Sequence, residues 1–251
     1  MEECHYLLFD RIQTEHWWFV ARAKIVETVL TRHLGPPPSP DNVRVTEERL
    51  LADIGCGTGA VLPILSRFGR VFGIDSSSSA VEICRERGFA DVYLPDEPEW
   101  QPHSFDVLTV LDVIEHVDDD RDFLQHYLHW LKPHGLLLLT APAYMSLWSE
   151  HDDINQHRRR YTKKQILALV EEAGFRPCQL SYFNTLLFPA IATLRFAKKL
   201  IHLRSKSPRS DFELTTPALN SLLQPIFASE RHWLKRFSFP FGLSILCVAR
   251  K

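Results

Sequence analysis

The sequence predicts an α/β domain built on an open, doubly wound sheet, and three observations predict it. From Leu50 onward, short apolar runs alternate with helical stretches. The runs are nearly continuous, which suits strands covered on both faces by crossover helices. A glycine-rich turn, Asp53-Ile54-Gly55-Cys56-Gly57-Thr58-Gly59, follows the first run, at the sheet edge where such folds bind ligands.

Composition agrees with one enlarged domain. The 251 residues are 45% hydrophobic and 24% charged, enough to bury a sizeable core. Lys+Arg 29 against Asp+Glu 31 gives a net charge of -2, so no global field favours nucleic acid and no such partner is expected. Cys4, Cys56, Cys84, Cys178 and Cys247 form no CxxC pair and suit a reducing cytoplasm. The acidic start lacks the order of a secretion signal, which also points to the cytoplasm.

The first helix reads from Thr14 to Leu34, with Trp17, Trp18, Ala21, Ile25 and Val29 on related faces. Gly35-Pro36-Pro37-Pro38-Ser39-Pro40 cannot continue it, because proline lacks the amide donor, and reads as a linker. Strands follow at Leu50 to Ile54, Val71 to Ile74, Asp91 to Leu94, Phe105 to Leu111 and Leu136 to Thr140. Helix starts are expected at Ser79 with Glu82, in the Asp118-Asp119-Asp120 cluster, and at Thr162 with Gln165. After Gly174 come a strand from Phe175 to Tyr182, an apolar segment from Leu186 to Leu203, a helix after Thr216-Pro217 and a strand from Leu243 to Ala249. The last two strands suit an antiparallel edge. The expected layout is a helix and linker over 1–40, a core over 41–182, a helical appendage over 183–240 and a final core strand over 241–251.

The glycine turn alone describes either a dinucleotide site or an S-adenosylmethionine site. Gly55-x-Gly57-x-x-Ala60, with Asp75 twenty positions after Gly55, matches the loose nicotinamide fingerprint. The sign of Asp53 favours the other reading. A carboxylate beside the ligand repels a pyrophosphate and attracts a sulfonium or ammonium, by about 4 kcal/mol at 4 Å and an effective dielectric of 20. The run Leu111-Asp112-Val113-Ile114-Glu115-His116-Val117 offers no base for a phosphate, and no Arg or Lys follows Asp75 to meet a 2′-phosphate. A nicotinamide-dependent reductase and a non-catalytic cofactor-binding subunit remain the rival readings.

Leu51-Ala-Asp-Ile-Gly-Cys-Gly-Thr-Gly59, Phe72-Gly-Ile-Asp75, Ser104-Phe-Asp-Val-Leu108, Leu111 to Val117 and Leu131-Lys-Pro-His-Gly-Leu136 together resemble the class I S-adenosylmethionine-dependent methyltransferases, in particular the small-molecule group similar to the ubiquinone-biosynthesis enzymes. The resemblance covers roughly Arg49 to Pro177. It implies a Rossmann-like, seven-stranded sheet ending in a reversed hairpin, with S-adenosylmethionine as cofactor. It also implies that Asp53, Gly55, Cys56, Gly57, Thr58 and Gly59 surround the methionine part, and that Asp75 and Ser76 lie at the ribose. Leu111 and Asp112 would hold the amino end. Where the family places an acid after the third strand, this chain has Tyr93-Leu94-Pro95-Asp96-Glu97-Pro98, so Asp96 is the expected substitute. The stretch from Trp148 to Thr162, WSEHDDINQHRRRYT, is similar to a bacterial subset of the family.

Methyl transfer needs alignment of donor and acceptor, with a base where the acceptor is a hydroxyl. His116, His151 and His157 are the candidates, all on loops at the carboxyl edge of the sheet. Trp148, Arg158, Arg159 and Tyr161 suit an acceptor-binding loop in which arginines clamp an anionic group; the rival reading makes 158–160 a solvated cap. His151, Asp152 and His157 carry metal-ligating chemistry without metal-site spacing, so no metal is assigned. Trp17, Trp18 and Phe19 suit an anchor for the first helix.

Ala173 to Ser210 contains no acid but seven bases. Its apolar part is broken by polar residues and proline, so a membrane span is not expected. Segment 186–209 suits a cap or homodimer contact, or a peripheral contact with a membrane surface. The expected acceptor is a small or lipid-linked molecule.

Overall fold

The computed structural model describes residues 10–37, 48–97, 100–200 and 216–251. Cys4, the linker beyond Pro37, Pro98 and the end of the segment expected over 186–209 lie outside the described residues.

The elements run α1 (Trp17–Leu34), β1 (Leu50–Ile54), α2 (Leu62–Leu65), β2 (Arg70–Ile74), α3 (Ser78–Glu86), β3 (Val92–Tyr93), β4 (Phe105–Leu111), α4 (Asp120–Trp130), β5 (Leu131–Pro142), a 3-10 turn (Met145–Leu147), α5 (Glu150–Ile154), α6 (Lys163–Glu172), β6 (Arg176–Phe183), α7 (Phe188–Leu200), α8 (Pro217–Leu234) and β7 (Ser244–Arg250). The seven strands form one sheet in the order β3-β2-β1-β4-β5-β7-β6. β1 pairs in parallel with β2 on one side and β4 on the other, whereas β7 lies antiparallel between β5 and β6. The expected seven-stranded sheet with its reversed edge hairpin is therefore present. The winding direction reverses between β1 and β4, which opens a crevice at their carboxyl ends.

Both faces of the sheet are buried, which explains the unbroken apolar runs. In β5, Leu136 and Leu138 join the core under α1 and α8, whereas Leu137 and Leu139 join the core under α4 and α6. The two-residue period divides one apolar stretch between two cores. On the first face the Trp17 ring meets Phe227 edge-on at 5.7 Å, so the first aromatic pair anchors α1 to α8.

Several boundaries differ from the sequence reading. The helix expected from Ser79 starts at Ser78 and is capped by Ser77, whose hydroxyl accepts from Ala80 N. The Asp75 carboxylate takes the Ser77 amide at 3.0 Å and ends the strand early enough to set that cap. Asp119 caps α4, and Thr162 with Gln165 forms the expected capping box. β3 shrinks to two residues at the sheet edge, and β5 extends to Leu131, where it pairs with Phe105. The segment after the glycine turn forms a single helical turn with Pro63 near its start, and the chain then closes against Arg49 at Gly69. So short a helix brings little partial positive charge to the glycine turn.

Candidate functional site

β1 ends in Asp53-Ile54 and turns through Gly55, Gly57 and Gly59 at φ +73, +54 and +83. Side chains rarely adopt that region, so the turn depends on glycine. A Cβ on Gly55 would stand 2.4 Å from Val113 Cγ2, whereas one on Gly57 would meet nothing within 4 Å. The first glycine closes the turn onto the β4 loop, and the second leaves its outer side open to a ligand. The turn is held from beneath: Gly55 N donates to Ile74 O at 2.7 Å, and Gly57 N donates to Asp75 Oδ2 at 2.8 Å. Asp75 is buried at the end of β2. Its Oδ2 accepts the Gly57 amide and its Oδ1 the Ser77 amide, so this carboxylate joins the glycine turn to the start of α3.

Asp53 is buried and accepts from the Thr109 hydroxyl on the neighbouring strand. Burial pushes its carboxyl up to about 6, against the Thr109 hydrogen bond and the charge of Arg22. Arg22 was not singled out from the sequence. It rises from α1, lies 4.7 Å over the Trp18 ring and places Nη2 2.9 Å from Asp112 Oδ2. Its Nε is buried without a hydrogen-bond partner. Asp112 stands at φ +57 directly after β4, where its amide donates to Thr140 O.

Glu115 is the second residue the sequence reading passed over, although it lies inside the quoted 111–117 run. It is fully buried and neither carboxyl oxygen has a hydrogen-bond partner. Burial first, and then the negative charge of Asp112, push it well above the ordinary carboxyl range. The buried Arg22 guanidinium thus pairs with Asp112, and its positive charge also reaches the carboxyls of Asp53 and Glu115. A zwitterionic amino acid with a sulfonium fits such a set: its carboxylate has an unpartnered guanidinium Nε to accept from, and its cations have carboxyls.

On the far side of Glu115 the expected histidines converge. The His116 and His157 rings lie 4.8 Å apart and His151 and His157 6.0 Å apart. Burial, with His157 and Arg158 adding like charge, lowers the His116 pKa to about 4, so this ring is neutral at neutral pH. His157 Nδ1 lies 2.9 Å from Asp152 Oδ1. Burial raises the Asp152 carboxyl, but the His157 hydrogen bond and the Arg160 charge outweigh it and hold the group well below its usual range. His151 is braced against Asn155 on the same helix. Glu115, His116 and His157 each present a ligand atom within 4.8 Å of the others, a set able to hold a divalent cation. His151, Asp152 and His157, the metal-ligating residues weighed from sequence, also lie near one another, but among the described residues they form no such set, and the Asp152 carboxylate is engaged by His157 Nδ1 and by Arg160 Nε at 2.7 Å.

The basic run from Arg158 to Arg160 links two loops. Arg158 Nε donates to His116 O at 2.9 Å and its Nη1 reaches Asp118. Arg159 donates to Val117 O and Asp118 O and pairs with Asp120. Arg160 is buried and also donates to Ala143 O, which departs from a solvated cap. Tyr161 is buried, with its hydroxyl donating to Asp120 at 2.7 Å, and Trp148 Nε1 donates to Asp153. These polar groups clip the loop after β5 onto the loop after β4. Ser76 and Asp96 are exposed, and Cys56 and Leu111 are buried. The Cys84 thiol and burial push the Cys56 thiol well up, as fits a packing residue rather than a nucleophile.

Comparisons with known proteins identify the family. A family described as a methyltransferase domain matches residues 28–180. The mitochondrial ubiquinone biosynthesis O-methyltransferase of Schizosaccharomyces pombe is 34% identical over 101 residues, covering 36% of this chain and 37% of that protein. A ubiquinone biosynthesis O-methyltransferase of Chelativorans is 29% identical over 134 residues, covering 50% and 52%. The chain thus spans about half or less of these relatives' length. Among solved structures, an S-adenosylmethionine-dependent methyltransferase of Archaeoglobus fulgidus shares the fold at 18% identity with TM-score 0.54, covering 91% of this chain and 94% of that one. Phosphoethanolamine N-methyltransferase 2 of Haemonchus contortus, in complex with S-adenosyl-L-methionine, does so at 20% identity and TM-score 0.55, covering 90% of this chain and 52% of that one. Of the two cofactors compatible with the glycine turn, the family match selects S-adenosylmethionine over a dinucleotide. The chain belongs to the methyltransferase-domain family, within the class I S-adenosylmethionine-dependent methyltransferases.

Proposed function

We propose that this chain transfers a methyl group to an oxygen atom of a small, lipid-linked acceptor that enters beneath the loop over 143–161. S-adenosylmethionine supplies an electrophilic methyl on a cationic sulfur; the remaining tasks fall to the chain. The observation that carries the reading is the buried Arg22 among Asp53, Asp112 and Glu115 at the crevice. Arg22 would take the methionyl carboxylate, Asp53 and Asp112 the cationic centres, and Asp75 the ribose hydroxyls. On the acceptor side, the Asp152 carboxylate next to His157 Nδ1 favours the tautomer whose Nε2 accepts a proton. Neutral His116 would line the same space. The relatives named above as ubiquinone biosynthesis O-methyltransferases support an oxygen acceptor attached to a lipid.

A second reading of the acceptor side rests on the orphaned Glu115 carboxyl. With His116 and His157 it would hold a divalent cation that draws the acceptor hydroxyl toward its ionised form.

Incubation of the chain with isotopically labelled S-adenosylmethionine and phenolic acceptors, with and without a prenyl tail, tests the proposal. Labelled methyl on the acceptor and release of S-adenosylhomocysteine are expected. Cofactor binding with no turnover across the panel would instead identify a non-catalytic subunit, and tight NADH binding without S-adenosylmethionine binding would remove the cofactor assignment itself.

A further inference from the structure

Helix α7 is built the wrong way round for a helix that only covers a core. Of its 13 residues, Ala192 alone is buried. Positions 190, 194 and 197 fall on one outward line and 189, 193 and 196 on the next. All six are exposed, and five of them are apolar: Pro189, Ala190, Leu194, Phe196 and Ala197. Leu194 and Phe196 are 56% and 49% exposed. The apolar surface continues past the helix. The Phe241 ring lies tilted against Phe188 at its start, 5.4 Å between centres, and both Phe241 and Leu186 are exposed. At the other end Met145 is 52% exposed. A lone exposed leucine needs no explanation, but a run across three neighbouring segments marks a contact surface.

Among the described residues of these three segments the charge has one sign. α7 carries Arg195, Lys198 and Lys199 and no acid, and neither 144–149 nor 237–243 contains Asp or Glu. Arg195 Nη1 donates to Leu147 O and Lys199 Nζ to Ser146 O.

We infer that the outward face of α7, with Leu186, Phe241 and Met145 at its flanks, docks on an anionic lipid surface. The helix would lie in the interface, its leucine and phenylalanine among acyl chains and its lysines at headgroup level. No helix among the described residues is long and apolar enough to cross a membrane, so the contact is peripheral. A second copy fits less well. A two-fold contact through this face would set Lys198 and Lys199 of one copy against the same lysines of the other, with no acid on the described helix to offset them. The two hydrogen bonds to the Met145–Leu147 turn place the surface beside the loop that leads into α5. A docked chain would therefore present its proposed acceptor side to the bilayer. The docking itself does not depend on the acceptor assignment.

Flotation of the full chain with vesicles tests the inference without any methyl acceptor, so its failure leaves the methyl-transfer reading intact. Phosphatidylcholine vesicles containing phosphatidylglycerol should carry the chain upward, and pure phosphatidylcholine or high salt should reduce that. Lys198→Gln should weaken partitioning about fivefold, as removal of one cation near a charged bilayer predicts. Leu194→Asp with Phe196→Asp should abolish it. Ala197→Glu should weaken it too, and because Ala197 is exposed, that variant keeps the fold, which retained S-adenosylmethionine affinity verifies. The inference is overturned if the wild-type chain floats with neither vesicle type, if Ala197→Glu floats like wild type, or if the wild type is a dimer in solution that Ala197→Glu converts to a monomer.

Discussion

Arg22 and Asp112 are ninety positions apart in the chain, yet their side chains meet at 2.9 Å in a largely buried ion pair. The first helix thereby supplies the cation of a crevice whose other polar groups come from the strand ends. Arg22→Leu is expected to weaken S-adenosylmethionine binding by about 1 to 3 kcal/mol, since it removes a charged donor from a buried site. It should also cost about 1 to 3 kcal/mol of stability, because the half-buried Asp112 carboxylate then loses its partner. Titration calorimetry and denaturant unfolding measure the two effects; unchanged cofactor affinity would remove Arg22 from the site.

Asp53 makes cofactor affinity and stability run in opposite directions with pH. Its carboxyl in the folded, ligand-free chain sits at about 6, above the ordinary value. The folded state therefore holds the proton longer than the unfolded one, and this contribution to stability is present below about pH 4 and lost as pH rises through 6. Cofactor binding needs the ionised form, so affinity should climb through the same window. Asp53→Asn should bind weakly at every pH and flatten both curves. A wild-type affinity that stays flat between pH 5 and 7 would contradict the assignment.

Glu230 offers a separate test of the appendage. Its Oε1 accepts from the amides of Thr185 and Leu186 at 2.6 and 2.8 Å, ahead of α7, and burial pushes its carboxyl up to about 7. A raised folded value means that stability is lost as pH rises toward and through 7. Between pH 5 and 8 the chain should lose about 2 to 3 kcal/mol relative to Glu230→Gln, which keeps an oxygen acceptor but no titration. Parallel unfolding curves at the two pH values decide the matter.

The two acceptor-side readings separate on chelation. If the Asp152–His157 pair acts by proton transfer, a chelator leaves turnover unchanged, whereas His157→Asn lowers kcat by about 10²-fold or more. If Glu115, His116 and His157 hold a cation, a chelator abolishes turnover and Glu115→Gln lowers the metal content of the purified chain. Cofactor affinity should survive the His157→Asn change in either case; its loss in a folded variant would move His157 out of the acceptor side.

Tyr161 tests the clip between the loops. Tyr161→Phe removes hydrogen bonds to Asp120 and Ile114 O and should destabilise the chain by about 1 to 2 kcal/mol. If the tyrosine instead binds acceptor, as the loop's composition suggested, the stability stays and KM for the acceptor rises.

The apolar runs, the glycine turn and the Thr162 capping box are legible in the sequence because their causes are local. Strand periodicity, a need for positive φ and a side chain three residues from its amide all lie within a few positions of one another. The roles of Arg158, Arg159 and Tyr161 were not legible. An arginine beside a histidine reads the same whether its guanidinium faces a ligand or, as here, the backbone of a loop forty residues earlier. Ser77 took the cap expected of Ser79 because Asp75, itself part of the turn's support, drew its amide.

By itself the sequence determined the class of fold, the place of the glycine turn and the presence of an acid beside it. All three follow from residue type and short-range spacing. Tertiary structure alone decided that Arg22 lies among Asp53, Asp112 and Glu115, that His116 meets His157, and that the surface of α7 is turned outward. Those contacts join segments brought together by sheet order and helix packing, and burial, not composition, sets the charge state of each group once it is there.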